Sequence, residues 1–126
     1  MDQTTTEENI TQKKDTVSLG GRYIEAVGRR KTSTARVRLT ENKTGKGAFV
    51  INEKPANEYF KIKKTQIIAS EALSKVKGAN KFNISARVRG GGVVSQSEAV
   101  RHGIARALVS YSGELRDKLK KAGFLK

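Results

Sequence analysis

The chain concentrates basic side chains in one short segment, and their order follows the pattern of a turn and a strand. Five of them fall within residues 28–39, and they are Arg29, Arg30, Lys31, Arg36 and Arg38. The first three follow Gly28, which favours a basic turn over residues 28–32. The last two alternate with apolar residues from Ala35 to Leu39. Alternation with period two indicates a half-buried strand that has one apolar and one basic face. Such a surface binds polyanions, of which nucleic acid is the commonest in a cell.

Residues 81–89 repeat this alternation more cleanly. The apolar set is Phe82, Ile84, Ala86 and Val88, and the basic set is Lys81, Arg87 and Arg89. Two independent basic strands favour binding to RNA or DNA over a merely solvated basic surface. In the basic turn before the first of them, Arg29 and Arg30 are predicted to clamp phosphate oxygens, with Lys31 adding a point charge.

A run of three glycines, Gly90, Gly91 and Gly92, follows the second basic strand. It allows backbone amides to approach a phosphate closely at the start of a helix, but a tight strand-to-helix turn needs the same residues. Both interpretations stay open, and the second is the more economical. Ser95 and Glu98 match a capping box, which predicts that the helix begins after Ser95.

The helix that follows carries Arg101, His102 and Arg106, which fit either a nucleic-acid contact or a solvated face. His102 is the only histidine and the chain has no cysteine, so neither a metal site nor acid–base catalysis is indicated. No nucleotide-binding glycine loop is present. We therefore predict a protein that is not an enzyme and that needs no metal or cofactor.

The elements that position these residues form one domain. Residues 1–21 contain four carboxylates and two lysines, whereas the whole chain has a net charge of +14, so the charge lies in residues 22–126. We predict a disordered acidic extension over 1–21 and a single RNA-binding domain over 22–126. Its predicted order is β-β-β-α-β-α-α, with helices on one face of a sheet whose other face is polar.

Composition narrows the function classes further. Cysteine is absent, which excludes disulfides and Cys-ligated metals. The sequence has no apolar run of membrane-spanning length, no secretory signal pattern and no long helix with a broad apolar face, so no membrane partner is predicted. Few aromatic residues are available to stack on unpaired bases, which favours recognition of backbone and shape over base identity.

Three segments together resemble a known family. They are GRRKTSTARV at 28–37, VRGGG at 88–92 and RHGIARAL at 101–108, with Gln96 between the last two. In this order and spacing they are similar to the signatures of the ninth small-subunit ribosomal protein of the bacterial type. Ile51-Asn52 and Tyr59-Phe60 fit the middle of that family, so the resemblance runs from about Arg22 to Leu125.

The resemblance implies a two-layer α/β sandwich of the α+β class. Its sheet is mostly antiparallel and four-stranded, and its β-α-β crossover has the unusual left-handed sense. It also implies a structural protein of the cytoplasmic ribosome, bound to the 3′ major domain of the small-subunit rRNA beside other head proteins. Family members usually continue into a basic tail that approaches peptidyl-site tRNA, whereas the sequence given ends at Lys126.

The residues predicted to bind RNA combine both basic strands, the glycine run and the long helix. They are Arg29, Arg30, Lys31, Arg36, Arg38, Arg87, Arg89, Gly90, Gly91, Gly92, Arg101, His102 and Arg106. The alternative function is a stand-alone nucleic-acid-binding protein outside the ribosome.

Overall fold

The computed structural model describes residues 23–41, 47–76 and 82–126. The elements in chain order are β1 (Ile24–Arg30), β2 (Ser33–Glu41), β3 (Phe49–Ile51), β4 (Lys54–Pro55), α1 (Ala56–Tyr59), α2 (Lys63–Ser74), β5 (Phe82–Arg89), α3 (Val93–Tyr111), a turn of 3₁₀ helix (Gly113–Leu115) and α4 (Arg116–Lys121). The predicted acidic extension over 1–21 and Lys81 lie outside the described residues.

The strands form one mixed sheet in the order β1-β2-β5-β3-β4. Neighbouring strands are antiparallel except for β3 and β5, which are parallel. A parallel pair requires a crossover connection, and here α1 and α2 lie within it. The α+β class is confirmed, although the sheet has five strands rather than four because the two-residue β4 closes a hairpin on β3. The left-handed sense of the crossover stays a prediction.

The core lies between the sheet and the helices, as the alternation predicts. On β2, Ala35 and Val37 are fully buried, and on β5 the even-numbered residues from Phe82 to Val88 are buried. The intervening arginines are exposed. The longest helix, α3, packs on β1 and β2 and supplies Ile104 and Leu108, while α2 packs against α3. The sheet therefore has one covered face and one open face, the second being the face that carries those arginines.

Gly28 lies inside β1, and its predicted place in a turn is wrong. Strand β1 continues through Arg30, so the hairpin turn contains only Lys31 and Thr32. A Cβ atom on Gly28 would overlap the backbone of Ala99 and Gly103 in α3. A glycine that lets a helix contact a strand looks the same in sequence as a glycine that opens a turn.

Helix α3 begins two residues before the predicted capping residue. Its N-cap is Gly92, and no side chain caps it. The capping box is wrong because the Ser95 hydroxyl instead donates to the backbone carbonyl of Arg30, at 2.7 Å. Glu98 likewise faces Arg30, with 3.2 Å between its carboxylate and Nε. Long-range partners on β1 therefore replace the local contacts that the spacing indicated.

Candidate nucleic-acid interface

The open face of the sheet carries five of the predicted binding residues, which are Arg29, Arg36, Arg38, Arg87 and Arg89. Cross-strand register places Arg29 and Arg89 on either side of Thr34. In the next row, Arg36 lies directly opposite Arg87. Direct cross-strand neighbours have Cβ atoms about 5 Å apart, and like charges in such pairs destabilise a sheet. The fold therefore places guanidinium groups together despite their repulsion, which a bound polyanion would relieve.

Two carboxylates partly neutralise this array. Glu25 on β1 contacts both Arg36, at 3.4 Å, and Arg38, at 3.0 Å. Glu53, in the turn between β3 and β4, contacts Arg87 at 2.7 Å, and both of those side chains are more than two-thirds exposed. Exposed ion pairs of this kind contribute only about 0–1 kcal/mol, so phosphate groups can replace the carboxylates. These two carboxylates were not among the predicted site residues, although Glu25 has the strand periodicity that could have indicated it.

Three cations on this side of the molecule are uncommitted. Among the residues that the structure describes, the side chains of Arg29, Lys31 and Arg89 form no hydrogen bond or ion pair. Lys31 stands at the tip of the β1–β2 hairpin with a φ of 54°, a left-handed conformation that favours glycine. A lysine at a position where glycine would be less strained suggests selection for its charge.

The glycine run packs beside this hairpin tip. Gly90 and Gly91 have φ values of 81° and 65°, and side chains there would overlap Thr32 and Ser33. The Ser33 hydroxyl donates to the Gly90 carbonyl at 2.7 Å. Gly92 has open space around it and ordinary backbone geometry. We call Lys31, Thr32 and Gly90 to Gly92 the hairpin end of the interface, because they join the β1–β2 turn to the β5–α3 loop.

Arg29 and Arg30 project to opposite faces of β1. Arg29 shares the open face with Thr34, whereas Arg30 pairs with the buried Ser33 and turns towards Glu98 of α3. The two guanidinium groups therefore cannot form the single phosphate clamp that a basic turn suggested. Arg30 is still about half exposed, so its charge contributes to the surface beside α3.

The basic residues of α3 contact other parts of the protein. Arg106 donates to the backbone carbonyl of Val27 on β1, at 2.7 Å. Arg101 is 20 % exposed; it contacts Glu71 of α2 at 2.6 Å, and its guanidinium carbon lies 4.8 Å from the ring centroid of Phe124. These residues thus connect α3 to β1, to α2 and to the C-terminal segment, by which we mean residues 122–126 after α4.

His102 is half-buried between β1 and the C-terminal segment. Its Nδ1 accepts a hydrogen bond from the backbone N–H of Arg29 at 3.0 Å. Burial lowers the pKa of His102 from its ordinary 6.5, and the nearby charges of Arg106 and Arg30 lower it further. The nearby backbone of Leu125 acts on the pKa in the opposite direction, and the net shift is downward. The ring is therefore neutral at pH 7, as an acceptor at Nδ1 must be.

Asn52 is a positioning residue that was not among the predicted binding residues. Its side chain donates to the Val88 carbonyl at 3.0 Å and accepts from the Val88 N–H at 2.9 Å. The Asn52 side chain thus takes the place of a neighbouring strand's backbone at the end of β5, next to Arg87 and Arg89. Its sequence signals were its place in a polar turn, where asparagine tolerates the φ of 50°, and its part in the family resemblance.

Neither metal chemistry nor a membrane span is indicated by the described ranges. Within 23–41, 47–76 and 82–126, no cluster of three His, Cys, Asp or Glu side chains could hold a metal ion. In the same ranges, no helix combines the length and the apolar character that crossing a membrane requires.

Comparison with known proteins agrees with the geometry. Residues 28–126 match the sequence profile of the family described as "Ribosomal protein S9/S16". The chain is 48% identical over 100 residues to "Small ribosomal subunit protein uS9" of Maridesulfovibrio salexigens, and the aligned region covers 79% of this chain and 75% of that relative. The family match over residues 28–126 includes the open-face arginines, the glycine run and α3. Together the two matches show that the chain belongs to the ribosomal protein S9 family.

Proposed function

We propose that this structural protein of the small ribosomal subunit binds rRNA of the 3′ major domain, in the head of the subunit. The open face and the hairpin end together form the binding surface. The observation that carries the proposal is the direct opposition of Arg36 and Arg87, flanked by Arg29 and Arg89 in the next row. Repulsion within this array has no structural benefit, whereas RNA phosphates would convert it into attraction.

Binding proceeds through exchange of anionic partners. Arg36, Arg38 and Arg87 are held in place by carboxylates before RNA arrives, which keeps their guanidinium groups ordered. A phosphate offers the same two-oxygen geometry as a carboxylate and belongs to a chain of further charges. Contacts by many such cations release counterions, so the protein stabilises rRNA segments that otherwise repel each other.

The resemblance extends the proposal to other partners. In the family, neighbouring head proteins surround the domain, and the basic tail beyond the position of Leu125 approaches peptidyl-site tRNA. We include a place near the peptidyl-tRNA site in the cytoplasmic ribosome as part of this proposal. No cofactor takes part, because phosphate neutralisation requires only the side chains and the RNA.

The proposal is tested by removing the cations that have no internal partner. Full-length protein is titrated with a transcript of the 3′ major domain at several salt concentrations. The triple variant Arg29→Ala, Lys31→Ala, Arg89→Ala should bind at least tenfold more weakly near 0.15 M salt, with a salt slope reduced by about 2–3. Wild-type affinity and slope in this variant would contradict the assigned surface.

A matched control removes the same charge elsewhere. Lys118, Lys120 and Lys121 lie on α4, and all three are exposed. Their triple alanine variant has the same net charge as the test variant, so its affinity should fall by less than about threefold. Co-sedimentation adds a second check: the protein should appear with assembled small subunits, whereas a stand-alone nucleic-acid-binding protein would stay in the supernatant.

A further inference from the structure

His102 occupies a junction between the hairpin end and the C-terminal segment. Its Nδ1 accepts a hydrogen bond from the backbone N–H of Arg29, two residues before Lys31, and the backbone of Leu125 lies near the ring. The Arg29 N–H belongs to the outer edge of β1, because the other edge of this strand pairs with β2. Without His102, this half-covered edge group would lose its partner.

Other residues of α3 form similar contacts about one turn after His102 and about two turns before it. Arg106 holds the Val27 carbonyl on the same strand edge, and Ser95 holds the Arg30 carbonyl. Arg101 contacts the ring of Phe124, next to the residue whose backbone lies near His102. Helix α3 thus fixes the last four residues of β1 with three side chains and the C-terminal segment with two. His102 is the only residue of these contacts that belongs to both sets.

We infer that His102 is a positioning residue for RNA binding, whose neutral ring fixes Arg29 and the Lys31 turn relative to the C-terminal segment. The inference rests on the proposed function of the open face and the hairpin end. It assigns His102 no phosphate contact, because Nδ1 already accepts the Arg29 N–H and the ring is half-buried. This differs from the sequence-based expectation, in which His102 itself contacts RNA.

The charges around the ring give the two roles opposite pH signatures. Arg106 of α3 and Arg30 of β1 face the imidazole, and Glu98 of α3 faces Arg30; the C-terminal segment contributes the Leu125 backbone. Protonation of Nδ1 would break the hydrogen bond from Arg29 and add a third positive charge. A positioning histidine therefore loses RNA affinity as it becomes protonated below its lowered pKa, whereas a direct phosphate contact would gain affinity.

The first experiment compares two substitutions at this position. His102→Gln keeps an acceptor for the Arg29 N–H but has no titratable group, and His102→Ala keeps no acceptor. With the 3′ major domain transcript near pH 7.5, the Gln variant should bind within about twofold of wild type and the Ala variant about fivefold more weakly. Equal weakening by both substitutions would contradict the inference.

The second experiment uses pH. From about pH 7.5 to 5.5, carboxylates with ordinary pKa values stay ionised, so the ratio of wild-type to Gln-variant affinity reports His102 alone. This ratio should stay constant or fall as the pH falls. A rise would identify His102 as a direct phosphate contact and overturn the inference.

A double-mutant cycle separates positioning from general stability. In a background that already carries Arg29→Ala and Lys31→Ala, adding His102→Ala should change affinity by less than about twofold, because the groups it positions are gone. An undiminished fivefold effect would instead indicate a role independent of the hairpin end. If wild-type protein does not bind the transcript at all, the proposed function fails. If wild-type protein binds but the cycle is additive, only the inference about His102 fails.

Discussion

The two faces of the sheet at β1 and β2 follow opposite rules. On the covered face, Gly28 brings the strand backbone against the backbone of α3, and a Cβ on Gly103 would lie 2.6 Å from Val37. On the open face, Arg36 and Arg38, on either side of Val37, carry long side chains that pair with the partly exposed Glu25. The same pair of strands thus has a close-packed contact with α3 on one face and side chains that can exchange ionic partners on the other.

This contrast separates stability from function. Overpacking a helix–strand contact destabilises a protein by several kcal/mol, whereas each exposed ion pair contributes about 0–1 kcal/mol. Substitutions on the covered face should therefore change the free energy of unfolding, and those on the open face should change RNA affinity. A substitution on one face that produced the other effect would refute the contrast.

The largest effect is expected from Gly28→Ala. The new methyl group overlaps backbone atoms of Ala99 and Gly103, which cannot move like a side chain, so α3 must separate from β1. We expect a loss of about 3 kcal/mol or more in the free energy of unfolding, measured by urea denaturation.

Gly113→Ala is the matched control for that measurement. A Cβ at Gly113 meets no atom within 4 Å, and its φ lies outside the left-handed region. Its free energy of unfolding should stay within about 0.5 kcal/mol of wild type. Equal losses in the two variants would show that Gly28 is not a close-packing position.

The next effect concerns the opposed pair on the open face. Replacing Arg36 and Arg87 together with glutamine removes two proposed phosphate contacts and two ion pairs. Affinity for the 3′ major domain transcript should fall about tenfold, while the free energy of unfolding changes by less than about 1 kcal/mol.

Replacing the same two residues with lysine tests geometry rather than charge. Lysine keeps the positive charge but lacks the planar fork, so its affinity should lie between those of wild type and the glutamine variant. If the lysine variant binds as weakly as the glutamine variant, bidentate geometry dominates over charge. If the glutamine variant itself binds like wild type, these arginines are not part of the interface.

The periodicity of the sequence predicted which faces of the strands are buried, whereas contacts distant in sequence determine how α3 packs on β1. The alternation in β2 and β5 correctly separated buried Val37 and Ile84 from exposed arginines, because a strand's geometry is set locally. The same pattern could not show that Gly28 contacts Gly103, or that Ser95 binds Arg30, since both depend on how α3 crosses β1. Local rules therefore assigned Gly28 to a turn and Ser95 to a cap.

The candidate site shows the same division. Sequence indicated which side chains are basic, and the structure shows which of them are already engaged. Arg101 and Arg106 look like surface cations in sequence, but Glu71 and the Val27 carbonyl contact them. Both partners are at least 30 residues away along the chain, a distance at which spacing carries no information.

A smaller effect should follow from Glu25→Gln. This substitution frees Arg36 and Arg38 from their shared carboxylate, while the shape of the side chain is kept. We expect RNA affinity to rise about two- to fivefold and to depend more steeply on salt, because one opposing charge is removed. Titration with both the 3′ major domain transcript and an unrelated RNA measures whether the carboxylate favours the cognate RNA. Lower affinity for both RNAs would show that Glu25 acts mainly by ordering the arginines.

The smallest effect is expected at the hairpin end, where one residue, Lys31, should affect both the stability of the fold and RNA binding. Lys31→Gly removes a side chain from a left-handed position and should stabilise the fold by about 0.5–1 kcal/mol. The same substitution removes one proposed phosphate contact, so the salt slope of RNA binding should decrease by about 1. Thr32→Gly, at the neighbouring turn position where φ is not positive, should produce neither the stabilisation nor the change in salt slope. A Lys31→Gly variant with unchanged RNA affinity would show that the lysine is tolerated at the tip for a reason other than its charge.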